Sequence, residues 1–267
     1  MISSVLINGE PDDGRIEVFD SSVLRGDGCF EVLRSYDGKP FCLNEHLDRL
    51  ATSARLLEIE LPSRGRLAEW IETVSAEVGE GAVRVVVTRG PALPWSEPDP
   101  KVIVFAHPWE RPEGPARLFP ITAPWHSAGL DWELAGAKLL SYAPNLAASR
   151  HARAEGFDDA LLVTVDGSVL EGPTFSVAWV VDGVLETPSL DLGILGSITR
   201  RVVLEDARNQ GLKVEEGRWP LDRLDEATEV LALSTIREVQ AVAAVGNRRW
   251  EPGPVTAQLA EVFARRT

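Results

Sequence analysis

The chain has 267 residues, of which 25% are charged, and its formal net charge at pH 7 is −14. This length suits one large or two medium domains and is ample for a sizeable apolar core. The negative charge argues against binding along a nucleic-acid backbone, because such binding needs a basic surface. The sequence shows neither a secretory leader nor a run of about twenty apolar residues, so we expect no membrane span and a cytoplasmic location.

The two cysteines indicate neither disulfide bonds nor a metal site. Cys29 and Cys42 are too few for a disulfide framework, and their spacing does not match a metal-binding motif. We therefore expect both to be small apolar side chains, and we expect no bound metal.

The first part of the chain mixes strand and helix patterns. Val5–Ile7 predicts a strand, and Leu24–Arg34 predicts a loop with two glycines that leads into a second strand. Asn44 is a favourable helix N-cap, and apolar residues follow it at helical spacing. The predicted elements further along are a helix over Ser63–Val78 and strands over Ala82–Thr88 and Val102–Ala106. We therefore expect an α+β first domain.

The character of the sequence changes between Pro108 and Pro124, where five prolines occur with little periodicity. Proline interrupts helices and the pairing of strands, so this stretch is predicted to be an extended interdomain linker. We place a small domain over residues 1–107, the linker over 108–124 and a larger domain over 125–267.

The second half is rich in turn signals. A helix is predicted from Pro144 to Glu155, with the proline in its first turn. Asp-Gly pairs separate the next strand patterns, which is typical of antiparallel hairpins. Ser197 is a favourable N-cap for a further helix, and the N-terminus of a helix attracts anions. The predicted strands are Ala160–Val165, Phe175–Val181, Val184–Glu186 and Val230–Leu233.

One lysine differs in its surroundings from the others. The chain has four lysines, and Lys138 alone lies in a run with almost no other charge, flanked by alanine and leucine. Apolar surroundings favour the neutral, nucleophilic amine over the ammonium ion. Such an amine is suited to Schiff-base chemistry, although a surface lysine at the end of a strand would show the same pattern.

Five segments, taken in order, resemble the fold-type IV pyridoxal-phosphate enzymes, which include D-amino acid aminotransferases, branched-chain aminotransferases and aminodeoxychorismate lyases. The similarity extends over essentially the whole chain. The segments are Arg25–Gly28 with Phe30 and Glu31, then Asn44–Leu50, Lys138–Asn145, Val169–Gly172 and Gly193–Arg200.

The resemblance implies a two-domain α+β fold, with a small N-terminal α+β domain and a larger, β-barrel-like C-terminal α/β domain, assembled as a homodimer. It implies pyridoxal 5'-phosphate as cofactor, with Lys138 as its Schiff-base lysine and Glu171 paired with the pyridine nitrogen. It further implies a phosphate site, with Arg49 as the bidentate partner. The other cofactor contacts that it implies are Tyr142, Ser197, Ile198, Thr199 and Thr235.

The resemblance indicates the cofactor more specifically than it indicates the reaction and the substrate. A transaminase needs a second anion site for the substrate carboxylate, and Arg25 is our first candidate because it adjoins the Gly26–Gly28 loop. The other arginine candidates are Arg34, Arg84 and Arg89, and Phe30 and Val32 are further candidates for substrate contact.

Transamination of D-amino acids with a 2-oxo acid is favoured over the lyase reaction that forms 4-aminobenzoate and pyruvate. The lyases commonly carry threonine where this chain has Val32, and valine cannot donate a hydrogen bond. Two substrate motifs of the transaminases are also missing. Gly90–Trp95 holds no histidine for a carboxylate trap, and Ala82 replaces a tyrosine. A non-enzymatic binding protein that retains the fold is the remote alternative.

Overall fold

The computed structural model describes residues 4–91, 97 and 99–267. Within these residues the chain forms two compact units. The first unit extends to Glu110 and also includes Ala137–Tyr142, and the second comprises Arg111–Gly136 and Ala143–Thr267. Both units combine helices and strands, so the prediction of an α+β fold is confirmed.

The described part of the first unit contains six strands in one antiparallel sheet, in the order β2-β1-β6-β5-β3-β4. These strands are β1 (Val5–Ile7), β2 (Glu10–Asp12), β3 (Gly28–Tyr36), β4 (Lys39–Pro40), β5 (Gly81–Thr88) and β6 (Lys101–Pro108). The helices are α1 (Ser21–Arg25), α2 (Leu43–Leu56) and α3 (Arg64–Val78).

The core of the first unit lies where α2 and α3 pack on one face of this sheet. Alternate residues of β5, such as Val83 and Val85, are fully buried there with Leu50 and Ile71 of the helices. This arrangement follows from the sequence, since strands present every second residue to one face and helices present every third or fourth. The helix α2 begins earlier than predicted, because Cys42 rather than Asn44 occupies the N-cap position.

The second unit is built on a mixed sheet with the order β11-β10-β9-β12-β13-β7-β8, and β14 pairs with β13. Its strands are β7 (Ala116–Thr122), β8 (Asp159–Val163), β9 (Ser176–Val181), β10 (Val184–Pro188), β11 (Lys213–Gly217), β12 (Glu229–Ser234), β13 (Glu238–Val245) and β14 (Arg248–Arg249). The helices are α4 (Ala143–Ala154), α5 (Ile198–Asn209) and α6 (Pro254–Ala264), and short 3₁₀ turns occupy Leu190–Leu192 and Leu221–Asp225. The Asp182–Gly183 turn joins β9 and β10 as an antiparallel hairpin, as predicted.

The proline-rich stretch is not the uniform linker that the sequence indicated. Its last part forms β7, which runs parallel to both β8 and β13. Pro120 is tolerated within β7 because the pairing with β13 extends only as far as Leu118, so no backbone amide is needed on that side.

The segment around Lys138 also differs from the division that we expected. We assigned it to a domain over residues 125–267, but Ala137–Tyr142 packs with the first unit. The physical reason is an antiparallel bridge between Leu139 and Cys29, which adds this segment to the start of β3.

No helix within the described residues combines the length and the apolar character needed to cross a membrane.

Candidate active site

The backbone of Lys138 is held on both sides within the first unit. Its N–H donates to the Ser53 hydroxyl at 3.1 Å, and its carbonyl accepts from the Phe30 N–H at 3.0 Å. Leu140 N–H donates to the Gly28 carbonyl at 2.9 Å. A side chain at Gly28 would come within 2.4 Å of the Val87 carbonyl oxygen, so glycine is required for this close approach. The lysine therefore projects from a backbone with little freedom to move.

The amine of Lys138 lies beside two aromatic rings. Its Nζ is 4.4 Å from the centre of the Phe30 ring and 5.7 Å from that of Tyr142. The two rings meet edge to face, with centroids 5.4 Å apart. The structure thus brings together Lys138, Tyr142 and Phe30, which the sequence analysis named separately.

A buried carboxylate lies one residue beyond Phe30 on β3. Glu31 accepts from Arg49 Nε at 2.6 Å through Oε1 and from Arg49 Nη2 at 2.7 Å through Oε2. The same Oε2 contacts His46 Nδ1 at 2.7 Å. Glu31, His46 and Arg49 form what we call the carboxylate cluster. It orients the guanidinium of Arg49, because a bidentate pair has a fixed geometry.

The protonation states of this cluster follow from its burial and charges. Burial would raise the pKa of Glu31, but the charge and hydrogen bonds of Arg49, together with His46, lower it to about 2. Burial lowers the pKa of His46, and the positive charges of Arg49 and Lys138 act in the same direction against the Glu31 carboxylate. His46 is therefore neutral near pH 7 and donates from Nδ1 to ionised Glu31.

We expect His46 to make stability fall with acid below pH 6.5, the ordinary pKa of histidine. Below pH 6.5 His46 binds a proton in the unfolded chain but not in the folded chain. The contribution of neutral His46 to stability is therefore present above pH 6.5 and is lost as the pH falls. The dependence of the unfolding free energy on pH between 6.5 and 5 should be shallower in His46→Gln by up to about 1.4 kcal/mol per pH unit. Urea titrations at several pH values measure it. His151→Gln, at an exposed position, is the control, and an unchanged slope in His46→Gln would contradict the prediction.

Sequence reasoning did not assign roles to Glu31, His46 and Ser53. A signal was present, because His46, Arg49 and Ser53 are spaced by three and four residues and so occupy one face of α2. Glu31 lies between two buried residues of the same strand face, Cys29 and Leu33, where a carboxylate needs a partner. The identity of that partner depends on the packing of α2 against β3.

The arginines proposed for the substrate carboxylate have different surroundings. Arg34 is only 2% exposed, donates to the Gly81 carbonyl at 2.7 Å and to Glu80 at 2.9 Å, and stacks on Trp109. These contacts give Arg34 a role in the fold, so the expectation that it meets substrate is not supported. Arg25 is exposed at the end of α1.

Arg84 lies directly opposite Val32 in the pairing of β5 with β3. Its Nε donates to Nε2 of His107 at 3.3 Å, and burial lowers its pKa. Because Phe30 and Val32 are two residues apart, Arg84 shares their face of the sheet. Residues 92–96, which cover most of the stretch without a histidine, lie outside the described residues.

In the second unit, Glu171 is linked to the start of a helix. One of its carboxylate oxygens accepts from the Leu195 N–H at 3.2 Å, two residues before Ser197. Ser197 is the N-cap of α5, as predicted, and its hydroxyl accepts from the Arg200 N–H at 3.2 Å. Ile198 and Thr199 form the first turn, where backbone N–H groups without helical partners favour an anion.

Thr235 occupies the turn between β12 and β13 in the same unit. The strands pair up to Ser234 and Glu238, so the turn spans three residues. Glu171, Thr199 and Thr235 thus all belong to the second unit, whereas Lys138, Tyr142 and Arg49 belong to the first.

Comparison with known proteins identifies the family. Residues 28–245 match the family model of amino-transferase class IV. A putative branched-chain-amino-acid aminotransferase of Methanocaldococcus jannaschii is 32% identical, over 97% of this chain and 94% of its own length. A D-alanine aminotransferase of Listeria monocytogenes is 31% identical with the same coverage. A bifunctional aminodeoxychorismate lyase / D-amino acid transaminase of Mycobacterium tuberculosis is 32% identical, over 97% and 96%.

The fold comparison reaches the same family. The structure of a fold IV transaminase from Curtobacterium pusillum superposes with a TM-score of 0.91 and 30% identity, over the full length of both chains. The chain therefore belongs to the class IV aminotransferases, enzymes that use pyridoxal phosphate.

Proposed function

We propose that this aminotransferase transfers the amino group of D-amino acids to a 2-oxo acid and acts as a homodimer. The observation that carries a transaminase mechanism is the amine of Lys138, which lies beside Phe30 and Tyr142 on a backbone fixed by Ser53. The preference for D-amino acids is supported by Glu31–Val32 in β3 and by relatives that are described as D-amino acid transaminases.

We propose a partner in this chain for each functional group of pyridoxal phosphate. The amine of Lys138 is matched to the aldehyde, and the carboxylate of Glu171 is matched to the pyridine nitrogen. Arg49 and the first turn of α5 are matched to the phosphate, and we propose the hydroxyl of Thr235 as a further donor. The bond from Leu195 N–H to Glu171 supports this assignment, because it fixes a carboxylate close in sequence to an anion-binding helix start.

Each of these side chains has a defined task in the proposed reaction. When bound, the cofactor supplies an electron sink for the bonds of the substrate α-carbon. Lys138 removes the α-proton at its Nζ and later returns a proton, which is general acid–base catalysis by a positioned amine. Glu171 holds a proton on the pyridine nitrogen. Phe30 and Tyr142 border the amine of Lys138 and restrict the directions in which it can point.

The substrate carboxylate is assigned to Arg84 rather than to our first candidate, Arg25. Arg84 shares a sheet face with Phe30, and its hydrogen-bond partner among the described residues is the imidazole of His107. A partly buried guanidinium on a largely apolar face gains much from an incoming anion. Arg25 lacks this burial, since it is exposed.

We expect Arg84→Ala to raise KM for amino acids about ten- to a hundred-fold, the scale of a lost charge-assisted contact. KM for 1-phenylethylamine, which has no carboxylate, should change far less. Steady-state kinetics with both donors measure this difference, and Arg25→Ala is the matched variant. If Arg25→Ala shows the selective loss and Arg84→Ala does not, the carboxylate site is at Arg25.

A paired assay tests the proposed reaction itself. One arm follows amino-group exchange between D-alanine or L-leucine and 2-oxoglutarate, and the other follows release of pyruvate and 4-aminobenzoate from aminodeoxychorismate. We expect exchange with D-alanine at a higher kcat/KM than with L-leucine. Efficient lyase turnover without any exchange would replace this proposal by the lyase reaction. In that case Val32 would not distinguish the two reactions.

A further inference from the structure

Arg237 stands at the end of the short turn that carries Thr235. Its backbone N–H donates to the Ser234 hydroxyl at 3.1 Å, which closes the turn on the side of β12. The following residue, Glu238, has a φ of 53°, a left-handed conformation that is uncommon for residues other than glycine. Contacts outside the turn are therefore expected to help fix its conformation.

The guanidinium of Arg237 makes two such contacts. Its Nη2 donates to Asp159 Oδ2 at 3.1 Å, and its Nη1 donates to Gln240 Oε1 at 2.6 Å. The side chain of Arg237 is 13% exposed and that of Asp159 is 5% exposed, so water weakens this ion pair little.

Both acceptors are themselves held in place. The other oxygen of Asp159 accepts from the Ser149 hydroxyl at 2.6 Å. The amide of Gln240 donates to the Gly114 carbonyl at 2.9 Å. The guanidinium of Arg237 thus connects the turn to α4, β8 and the segment before β7, through acceptors that are themselves held by further hydrogen bonds.

The guanidinium of Arg237 also lies over the ring of Phe175. The guanidinium carbon of Arg237 lies 4.6 Å from the centre of the Phe175 ring. That ring packs on the backbone of Gly172, where a Cβ would be only 2.1 Å from Phe175 Cζ, and the Gly172 N–H donates to the Phe175 carbonyl at 2.7 Å. Gly172 follows Glu171, so Arg237 rests on the packing that also supports the Glu171 loop.

We propose that Arg237 is a positioning residue that holds the Thr235 hydroxyl in place for the cofactor phosphate. This inference rests on the proposed phosphate contact of Thr235. We infer that Arg237 acts through the turn, because its Nη1, its Nη2 and one face of the guanidinium contact Gln240, Asp159 and Phe175.

The test separates the phosphate from the rest of the cofactor. The dissociation constants of pyridoxal 5'-phosphate and of pyridoxal, which lacks the phosphate, are measured by quenching of protein fluorescence, and their ratio reports the phosphate contribution. We expect Arg237→Gln to lower the preference for the phosphorylated form about ten-fold, the scale of one misplaced hydrogen bond to a charged group. Arg237→Lys should lower it less, since lysine keeps the charge but cannot span two acceptors.

Arg223→Gln is the matched control, because Arg223 forms another partly buried ion pair of this unit, with Glu186. It should lower the melting temperature and leave the ratio unchanged. If Arg237→Gln and Arg237→Lys, like this control, lower the melting temperature but leave the ratio unchanged, Arg237 stabilises the fold only and the inference is overturned. If Arg237→Gln does not fold, the same ratio is measured in Arg237→Lys and in Asp159→Asn, which weakens the ion pair between Arg237 and Asp159.

A double-mutant cycle identifies the route of the effect. If Arg237 acts through Thr235, Arg237→Gln should change the ratio little in a Thr235→Ala background. Full additivity of the two effects would overturn the inference while leaving the phosphate contact of Thr235 intact. If Thr235→Ala alone leaves the ratio unchanged, the proposed contact of Thr235 fails, and the inference fails with it.

Discussion

Lys138→Ala is expected to abolish covalent attachment of pyridoxal phosphate and to lower transamination by at least about a hundred-fold, the scale of a lost acid–base group. The physical reason is that this variant removes the amine beside Phe30 and Tyr142 while the backbone bonds to Ser53 and Phe30 remain available. The protein should therefore stay folded. The measurements are the visible absorbance band after addition of the cofactor and the mass of the protein after borohydride reduction.

Lys213→Ala is the matched control for this experiment. Lys213 is exposed and paired with Glu215, so its removal should leave both the absorbance band and the reduced adduct unchanged. Peptide mapping of the reduced protein gives the sharpest result. A stoichiometric adduct on Lys39, Lys101 or Lys213 in place of Lys138 would refute the assignment.

Glu31→Gln is expected to lower the free energy of unfolding by about 3–5 kcal/mol, the cost of leaving a buried charge without its partner. Glu31 is 1% exposed and is the acceptor for both Arg49 and His46. Glutamine keeps the shape but removes the negative charge that faces the guanidinium of Arg49. Urea titration at pH 7 measures the loss, and the affinity for pyridoxal phosphate should fall as well because Arg49 is no longer oriented.

Asp48→Asn provides the comparison for Glu31→Gln. Asp48 lies on α2, the helix that carries His46 and Arg49, and pairs with Arg64, but its side chain is 68% exposed. An exposed pair contributes at most about 1 kcal/mol, so this variant should be close to the unaltered protein in stability. Equal effects of the two substitutions would mean that the carboxylate cluster contributes no more than a surface ion pair.

Features that depend on near neighbours in the chain could be predicted from the sequence. The N-cap at Ser197 and the hairpin at Asp182–Gly183 are examples, because a cap or a tight turn is specified within a few residues. The apolar run around Lys138 likewise distinguishes this lysine from the other three in the sequence alone. Together with the family segments, it indicated the cofactor.

Features that depend on distant partners were decided by the tertiary structure alone. Nothing near Pro120 in the sequence indicates that β8 and β13 lie on either side of β7. Arg34 and Arg84 look alike in the sequence, yet Arg34 is committed to Gly81 and Glu80, whereas Arg84 donates to the imidazole of His107. The same holds for Glu31, which meets Arg49 only when α2 packs on β3. An ionic or strand pairing depends on both partners, and the sequence around one residue carries no information about the other.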